Sequence, residues 1–140
     1  MAPDRELVEL TFEECLELAS SQRVGRLAVA PDGGAPLVVP VNFVLIGTTI
    51  VFRSDPGRKL EALTGHLASF QVDGIDPVHE TGWSVLFRGE ARLAAPKEEL
   101  LDEPRSWVGE RTERVVLTPI SITGRRIHLD QADLDPRGYR

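Results

Sequence analysis

Runs of β-branched and aromatic residues, each closed by glycine, proline or a short polar turn, follow one another along most of this chain, and that rhythm decides its fold class. Residues 24–30, 36–45, 48–53, 68–72, 82–93 and 115–122 read as strands, with a further short run at 125–129. Pro31-Asp32-Gly33-Gly34 makes a hairpin of the first two, Gly47 turns the chain into the third, Asp73-Gly74-Ile75-Asp76-Pro77 breaks the fourth, and Gly124 permits a turn before the last. The regular βαβ alternation of a parallel sheet is missing, as is a glycine-rich dinucleotide fingerprint. Six or seven strands joined by short turns, with two or three short helices inserted, predict a mainly β chain: a small antiparallel barrel with helices packed at its ends.

The helices are signalled locally. Thr11 and Glu14 form a capping box, and Phe12, Cys15, Leu16 and Ala19 fall at helical spacing, so residues 11–21 predict an amphipathic helix with Cys15 on its buried stripe. No basic neighbour close in sequence activates that thiol, which reads as a core residue. Pro40 cannot donate to a ladder, so the strand containing it is expected to be interrupted or at an edge there. Residues 96–101 suggest a helical turn or short helix, 103–114 are ambiguous, 1–10 give no firm element, and 130–140 read as a loose polar tail.

At 140 residues the chain fits one domain, with a structured core expected over 11–129. Sixteen Lys and Arg against twenty-two Asp and Glu leave a net charge of −6, which argues against nucleic acid or an anionic membrane as a partner. With one cysteine an intrachain disulfide is excluded, and no secretory leader pattern opens the chain, so a reducing cytoplasm is expected. No apolar run approaches membrane-spanning length.

Against that acidic background, residues 50–63 are a local exception. A strand passes through Ser54-Asp55-Pro56-Gly57 into the helical spacing of Leu60 and Leu63. Asp55 or Ser54 can cap that helix, Pro56 suits its first turn, and Arg53, Arg58 and Lys59 bring three cations to its N-terminus. A hydroxyl and three cations added to unpaired N–H groups make a phosphate site; the same residues also fit a capped surface helix with solvated charges. Other chemistry is thin. Ser84 lacks the second glycine of a nucleophile elbow. Asp73, Asp76, His79 and Glu80 read as a solvated turn rather than a metal site, and His66 and His128 are isolated. No carboxylate pair suggests general acid and base roles. Trp83 by itself reads as packing and Asn42 as a turn or edge residue.

Four pieces taken together resemble the pyridoxamine 5′-phosphate oxidase-like family of FMN-binding split barrels, especially its short actinobacterial-type members: Arg23-Val24-Gly25-Arg26-Leu27-Ala28, Val39-Pro40-Val41-Asn42-Phe43, Ile50-Val51-Phe52-Arg53-Ser54 with Gly57-Arg58-Lys59-Leu60, and Gly82-Trp83-Ser84-Val85. The resemblance covers most of residues 11–129. It implies a homodimer of six-stranded antiparallel split barrels, a flavoprotein with FMN in a groove at the subunit interface. By it, Arg53, Ser54, Arg58 and Lys59 hold the phosphate, Val41 and Asn42 lie along the flavin ring, and Trp83 and Ser84 reach the cofactor from the second subunit.

The implied activity is an FMN-dependent oxidoreductase of unassigned substrate, in which the flavin carries the electron or hydride transfer and the protein supplies placement and electrostatics. Alternatives are a deazaflavin-dependent reductase and a flavin-binding or storage protein without turnover. The oxidases of vitamin B6 metabolism are longer and present Ser-Arg-Lys at the phosphate turn, where this chain has Gly57-Arg58-Lys59. Arg126-Ile127-His128 is similar to the Arg-x-His that they use on substrate, but it follows Thr123-Gly124-Arg125 and equally fits a solvated strand end. No axial ligand for a haem is identifiable.

Overall fold

The computed structural model describes residues 5–30, 33–57, 63, 66–107, 109 and 111–129. Its elements, in chain order, are β1 (Arg5–Glu9), α1 (Phe12–Ser20), β2 (Val24–Val29), β3 (Leu37–Ile46), β4 (Thr49–Ser54), β5 (Leu67–Asp76), β6 (Thr81–Leu93) and β7 (Glu113–Leu129). Neighbours in the sheet run β1-β7-β4-β3-β2-β5-β6, and β6 pairs back onto β7. Six strands therefore close an antiparallel barrel, which leaves only β1 outside the ring.

The barrel is filled by the inward side of each alternation. Phe43, Phe52 and Phe70 meet at its centre, Phe43 edge-on to Phe70 at 5.1 Å between centroids and Phe52 stacked on Phe70 at 6.1 Å. Leu27, Ile50, Val72, Val85, Phe87 and Leu117 complete the packing with no solvent exposure. Burial of each such side chain contributes about 1.5–3 kcal/mol. α1 begins at the expected capping box, Glu14 N to Thr11 Oγ1 at 3.2 Å and Thr11 N to Glu14 Oε1 at 2.9 Å, and its buried Cys15 and Ala19 join the barrel core. Burial there pushes the Cys15 thiol pKa up, as befits a core residue.

Pro40 does not interrupt β3. It pairs with Arg26, and Phe43 N donates to Arg23 O at 3.2 Å, so the odd-numbered amides of β3 point toward β2. Pairing with β4 begins only at Phe43 and Phe52, which leaves the proline nitrogen on the unpaired side of the strand, the edge position expected of it.

Two expectations are corrected, and one stretch without an expected element forms a strand. Residues 73–76 do not break β5, which stays in register with β6 from Leu67↔Glu90 to Asp76↔Thr81; the ladder overrides the turn propensity of Asp73-Gly74. Gly124 does not turn the chain. It lies within β7 opposite Val85, and the lack of a side chain serves packing, since a Cβ there would stand 2.7 Å from Cys15 Sγ. Finally, residues 5–9 form β1, paired with the end of β7 from Arg5↔Leu129 to Glu9↔Arg125. Its charged, mostly exposed sequence carries no strand signal because pairing, not burial, holds it.

β7 is the seam of the barrel. Its first residues bond β4 on one side and β6 on the other, its middle bonds β6, and its end takes β1. Arg88 faces Ser121 while Gly89 faces Pro119, so Ile120 bulges out of the ladder beside a proline that cannot donate to it. The predicted helix after residue 57 lies outside the described residues except for Leu63, which is buried in the barrel core, and the tail from 130 also lies outside them.

Candidate functional site

Alternation along β3 and β4 decides which of the predicted residues face outward. Phe43 and Phe52 are opposite one another and point into the barrel, so Asn42 and Arg53, the residues next to them where the ladder ends, turn to its outer surface. The connection from β6 to β7 crosses this surface. Its residues Ala94 and Leu100 pack on Val51, Val116, Val44 and Ile46, a second, smaller core outside the barrel wall. We refer to residues 94–107 as the strap.

The strap is tied down by polar contacts at both ends. At its start Arg92 grips Glu98 with two hydrogen bonds of 2.9 Å, and Ala95 N adds a third to the same carboxylate at 3.2 Å. The Arg92 bonds first, then the Ala95 amide, lower the Glu98 pKa from 4.5 to about 2. Residues 95–98 make a single turn closed by Glu98 N to Ala95 O at 2.9 Å, with Pro96 as its second residue, in place of the helical turn or short helix expected over 96–101. At its far end the strap binds the predicted site residues. Arg53 Nε donates to Pro104 O at 2.8 Å, and Trp107 N donates to Asn42 Oδ1 at 2.8 Å.

Arg53 does not stand alone. Its cross-strand partner is Arg114, and the Glu103 carboxylate bridges the two, 3.3 Å from Arg53 Nη2 and 2.8 Å from Arg114 Nη1. Arg111 lies alongside, its carbonyl accepting from Arg53 Nη1 at 3.4 Å and its Nε 4.0 Å from Asp55 Oδ2. That Nε is buried and has no hydrogen-bond partner among the described residues. Arg53 and Arg114 thus share Glu103, while Arg111 faces Asp55.

Ser54 follows Arg53 but points inward. It is 1% exposed, and its hydroxyl donates to Asp55 O at 3.1 Å. Val41 is likewise buried beside Gly25 in the ladder with β2. Arg58 and Lys59 lie outside the described residues.

Trp83 and Ser84 sit on a different part of the barrel. Leu93, at the end of β6, pairs with Val115 beside Arg114, whereas Trp83 is ten residues back along the same strand and pairs with Arg126. At the rise of an extended strand this is roughly 33 Å of contour. Consecutive residues also face opposite ways: Trp83 packs against the barrel core beside Gly74, and Ser84 faces out, accepting from Gln71 Nε2 at 3.0 Å. Gln71 and Asp73 both bind Arg26, at 3.4 and 3.1 Å, which makes a polar row across β2, β5 and β6. Arg126 is half-buried, with its Nε lacking a hydrogen-bond partner among the described residues, and His128 is exposed on the strand pair with Glu6.

Asp76, His79 and Glu80 belong to the turn between β5 and β6. Asp76 Oδ1 accepts from Val78 N and His79 N at 3.0 and 3.1 Å, its Oδ2 lies 2.8 Å from His79 Nδ1, and Glu80 has φ of 53°. These contacts are those of an Asx turn closing a hairpin. Among the described residues no three His, Cys, Asp or Glu side chains are grouped as metal ligands, and no helix is long and apolar enough to cross a membrane.

Comparison with known proteins fits this architecture. Residues 11–126 match the family model described as pyridoxamine 5′-phosphate oxidase. The chain belongs to the pyridoxamine 5′-phosphate oxidase family. It is 30% identical over 136 residues to the uncharacterized protein Rv0080 of Mycobacterium tuberculosis, an alignment that covers 90% of this chain and 89% of that one. Among solved structures it is similar to one described as the FAD binding protein from Mycobacterium smegmatis, at 32% identity and a TM-score of 0.70 over 88% of this chain and all of that one. An FAD-binding protein from Mesorhizobium loti shares the fold at a TM-score of 0.72 and 24% identity, with 89% and 99% of the two chains covered. These likenesses bear out the split-barrel fold.

For this member of the pyridoxamine 5′-phosphate oxidase family, the sequence names Asn42 and Arg53 among the expected site residues, and the strap contacts each of them, through Trp107 N and Pro104 O. The sequence motifs missed Glu103, Trp107, Arg111 and Arg114. All four fall in or next to the stretch from 103 to 114 that carried no clear secondary-structure signal. The mixture of Glu, Pro, Arg and Trp there was the available clue, since a polar segment with no periodicity between two long strands must cross the barrel surface.

Proposed function

We propose that this chain binds FMN by its phosphate on the outer face of β4 and acts as a homodimeric flavin-dependent oxidoreductase. The observation that carries the reading is the cross-strand pair Arg53 and Arg114, whose guanidinium groups share the Glu103 carboxylate on the outer face of β4 and β7. A phosphate offers more acceptor oxygens than the carboxylate now between them, and guanidinium groups suit it geometrically. In this reading Arg53 binds the phosphate on the outer face, with Arg58 and Lys59 beside it, while Ser54 and Val41 face inward and shape the strands behind the site. Asn42 orients the ring, and Trp83 and Ser84 of a second subunit cover it. The bound flavin supplies the hydride or electron transfer, and the protein residues place it and exclude water.

The outer face around Val38, Leu67 and Ile120, which are 59%, 67% and 73% exposed, offers apolar area for a second copy, which supports the dimer. A second reading is FAD in place of FMN, favoured because the M. smegmatis protein, 32% identical, is described as FAD binding.

Titration with FMN, FAD, riboflavin and a deazaflavin cofactor, followed by fluorescence quenching, tests the assignment. Tighter binding of FMN than riboflavin is expected; failure of every flavin to bind overturns it, and a preference for the deazaflavin redirects it. Reduction of the bound flavin by NADH or NADPH and reoxidation under turnover separates an enzyme from a binding protein.

A further inference from the structure

We infer that Glu103 is an internal stand-in for the cofactor's phosphate, and that ligand binding exchanges it for the phosphate and releases the strap. This rests on the assignment of the phosphate site to Arg53 and goes beyond it by giving that site a closed, self-ligated state.

Three contacts define the closed state. The two oxygens of one carboxylate take Arg53 Nη2 at 3.3 Å and Arg114 Nη1 at 2.8 Å. Arg53 also bonds two backbone carbonyls, Nε to Pro104 O in the strap and Nη1 to Arg111 O beyond it. Trp107 N occupies the carboxamide oxygen of Asn42. The Arg53 guanidinium and the Asn42 carboxamide oxygen are therefore committed to the chain's own residues, and the strap and the cofactor compete for them.

The competition is unequal in a useful way. The Glu103 side chain is about half exposed at 48%, while that of Arg114 is only 10% exposed, so an incoming anion reaches the carboxylate from solvent and displaces it from a guanidinium that stays in place. A carboxylate brings one charge and two oxygens. A phosphate brings up to two charges and three oxygens, enough to serve Arg53 and Arg114 together. Exposed ion pairs of the Glu103 kind are weak, so they lower the apparent affinity for phosphate without preventing binding. Once Glu103 leaves, the neighbouring Pro104 contact loses the ion pair that adjoins it on Arg53. Trp107, 67% exposed, is held by its backbone bond to Asn42 rather than by burial.

The test compares wild type with Glu103→Gln, a surface change that keeps the size of the side chain and removes its charge. Amide exchange at Trp107 is followed with inorganic phosphate, against sodium chloride at equal ionic strength, and affinities for FMN and riboflavin are measured in parallel. Phosphate is expected to speed exchange at Trp107 in wild type. The variant is expected to exchange faster without phosphate and to bind FMN roughly three- to tenfold more tightly, with riboflavin unchanged. If phosphate leaves Trp107 protected and the variant binds FMN no better, the stand-in role is overturned while the flavin assignment survives. If phosphate releases Trp107 but no flavin binds, the stand-in role holds and the flavin assignment falls. If neither phosphate nor flavin acts, both fall.

Discussion

Asn42 Oδ1 accepts the backbone N–H of Trp107 at 2.8 Å, joining the outer face of β3 to the strap across 65 residues of sequence. The same carboxamide donates from Nδ2 to Arg23 O at 3.3 Å, so one side chain ties the end of α1's following loop, β3 and the strap together. Asn42→Ala removes both bonds. A loss of about 1–2 kcal/mol in stability is expected, at roughly 0.5–1.5 kcal/mol for each neutral hydrogen bond. Denaturant unfolding measures the loss, and faster exchange at the Trp107 amide localises it. Unchanged protection there means that the apolar contacts of Ala94 and Leu100 suffice to hold the strap.

Arg53→Ala separates the phosphate from the ring. Each charge-assisted bond to a phosphate contributes roughly 1.5–3 kcal/mol, so FMN affinity is expected to fall about ten- to a hundredfold, while riboflavin, which lacks the phosphate, changes little. Isothermal titration with the two ligands reads the difference. Equal losses for both would assign Arg53 to the fold of the strap instead of to the ligand.

Acid acts first on the strap's other anchor. The folded pKa of Glu98, about 2, lies below its ordinary 4.5, so the stability it contributes is fully present above 4.5 and is lost as the pH falls from there toward 2. Glu98→Gln removes this dependence. The stability difference between wild type and variant is therefore expected to be constant above pH 5 and to shrink below 4.5, read from unfolding curves at stepped pH. A difference that stays flat down to about pH 2 would show the Arg92 pair to be absent in solution.

How much of this was legible in the sequence depends on which force set each part. Alternation in 24–30, 36–45, 48–53 and 82–93 is imposed by one buried and one outer face, so those strands could be read directly. β1 and the full span of β5 and β7 could not, because they are held by ladders whose partners lie elsewhere in the chain. The site divides in the same way. Asn42 and Arg53 stand in recognisable strand motifs, whereas Glu103, Arg111 and Arg114 gain their meaning from a surface crossing that no local pattern encodes.

Trp83 depends on the missing side chain of Gly74. The two residues pair across β5 and β6, and a Cβ on residue 74 would stand 2.5 Å from the indole Nε1. Gly74→Ala therefore must push the ring aside, at a cost of about 1–3 kcal/mol. A shifted tryptophan emission, lower stability and weakened flavin binding are expected together. An unshifted spectrum with normal stability would mean that the β5–β6 pair opens to admit the methyl group.

The assembly itself can be tested by complementation. If each cofactor takes Arg53 from one chain and Trp83 from the other, Arg53→Ala and Trp83→Ala homodimers each lose both sites. Mixing them by unfolding and refolding produces heterodimers in which one site carries both substitutions and the other carries neither. Random association makes half of the dimers mixed, so about a quarter of the wild-type flavin sites should return. The affinity of those recovered sites should equal that of wild type, since each is built from unaltered residues. A mixture that stays as empty as its parents would place Arg53 and Trp83 in separate sites, and would confine the phosphate cluster to a function within one chain.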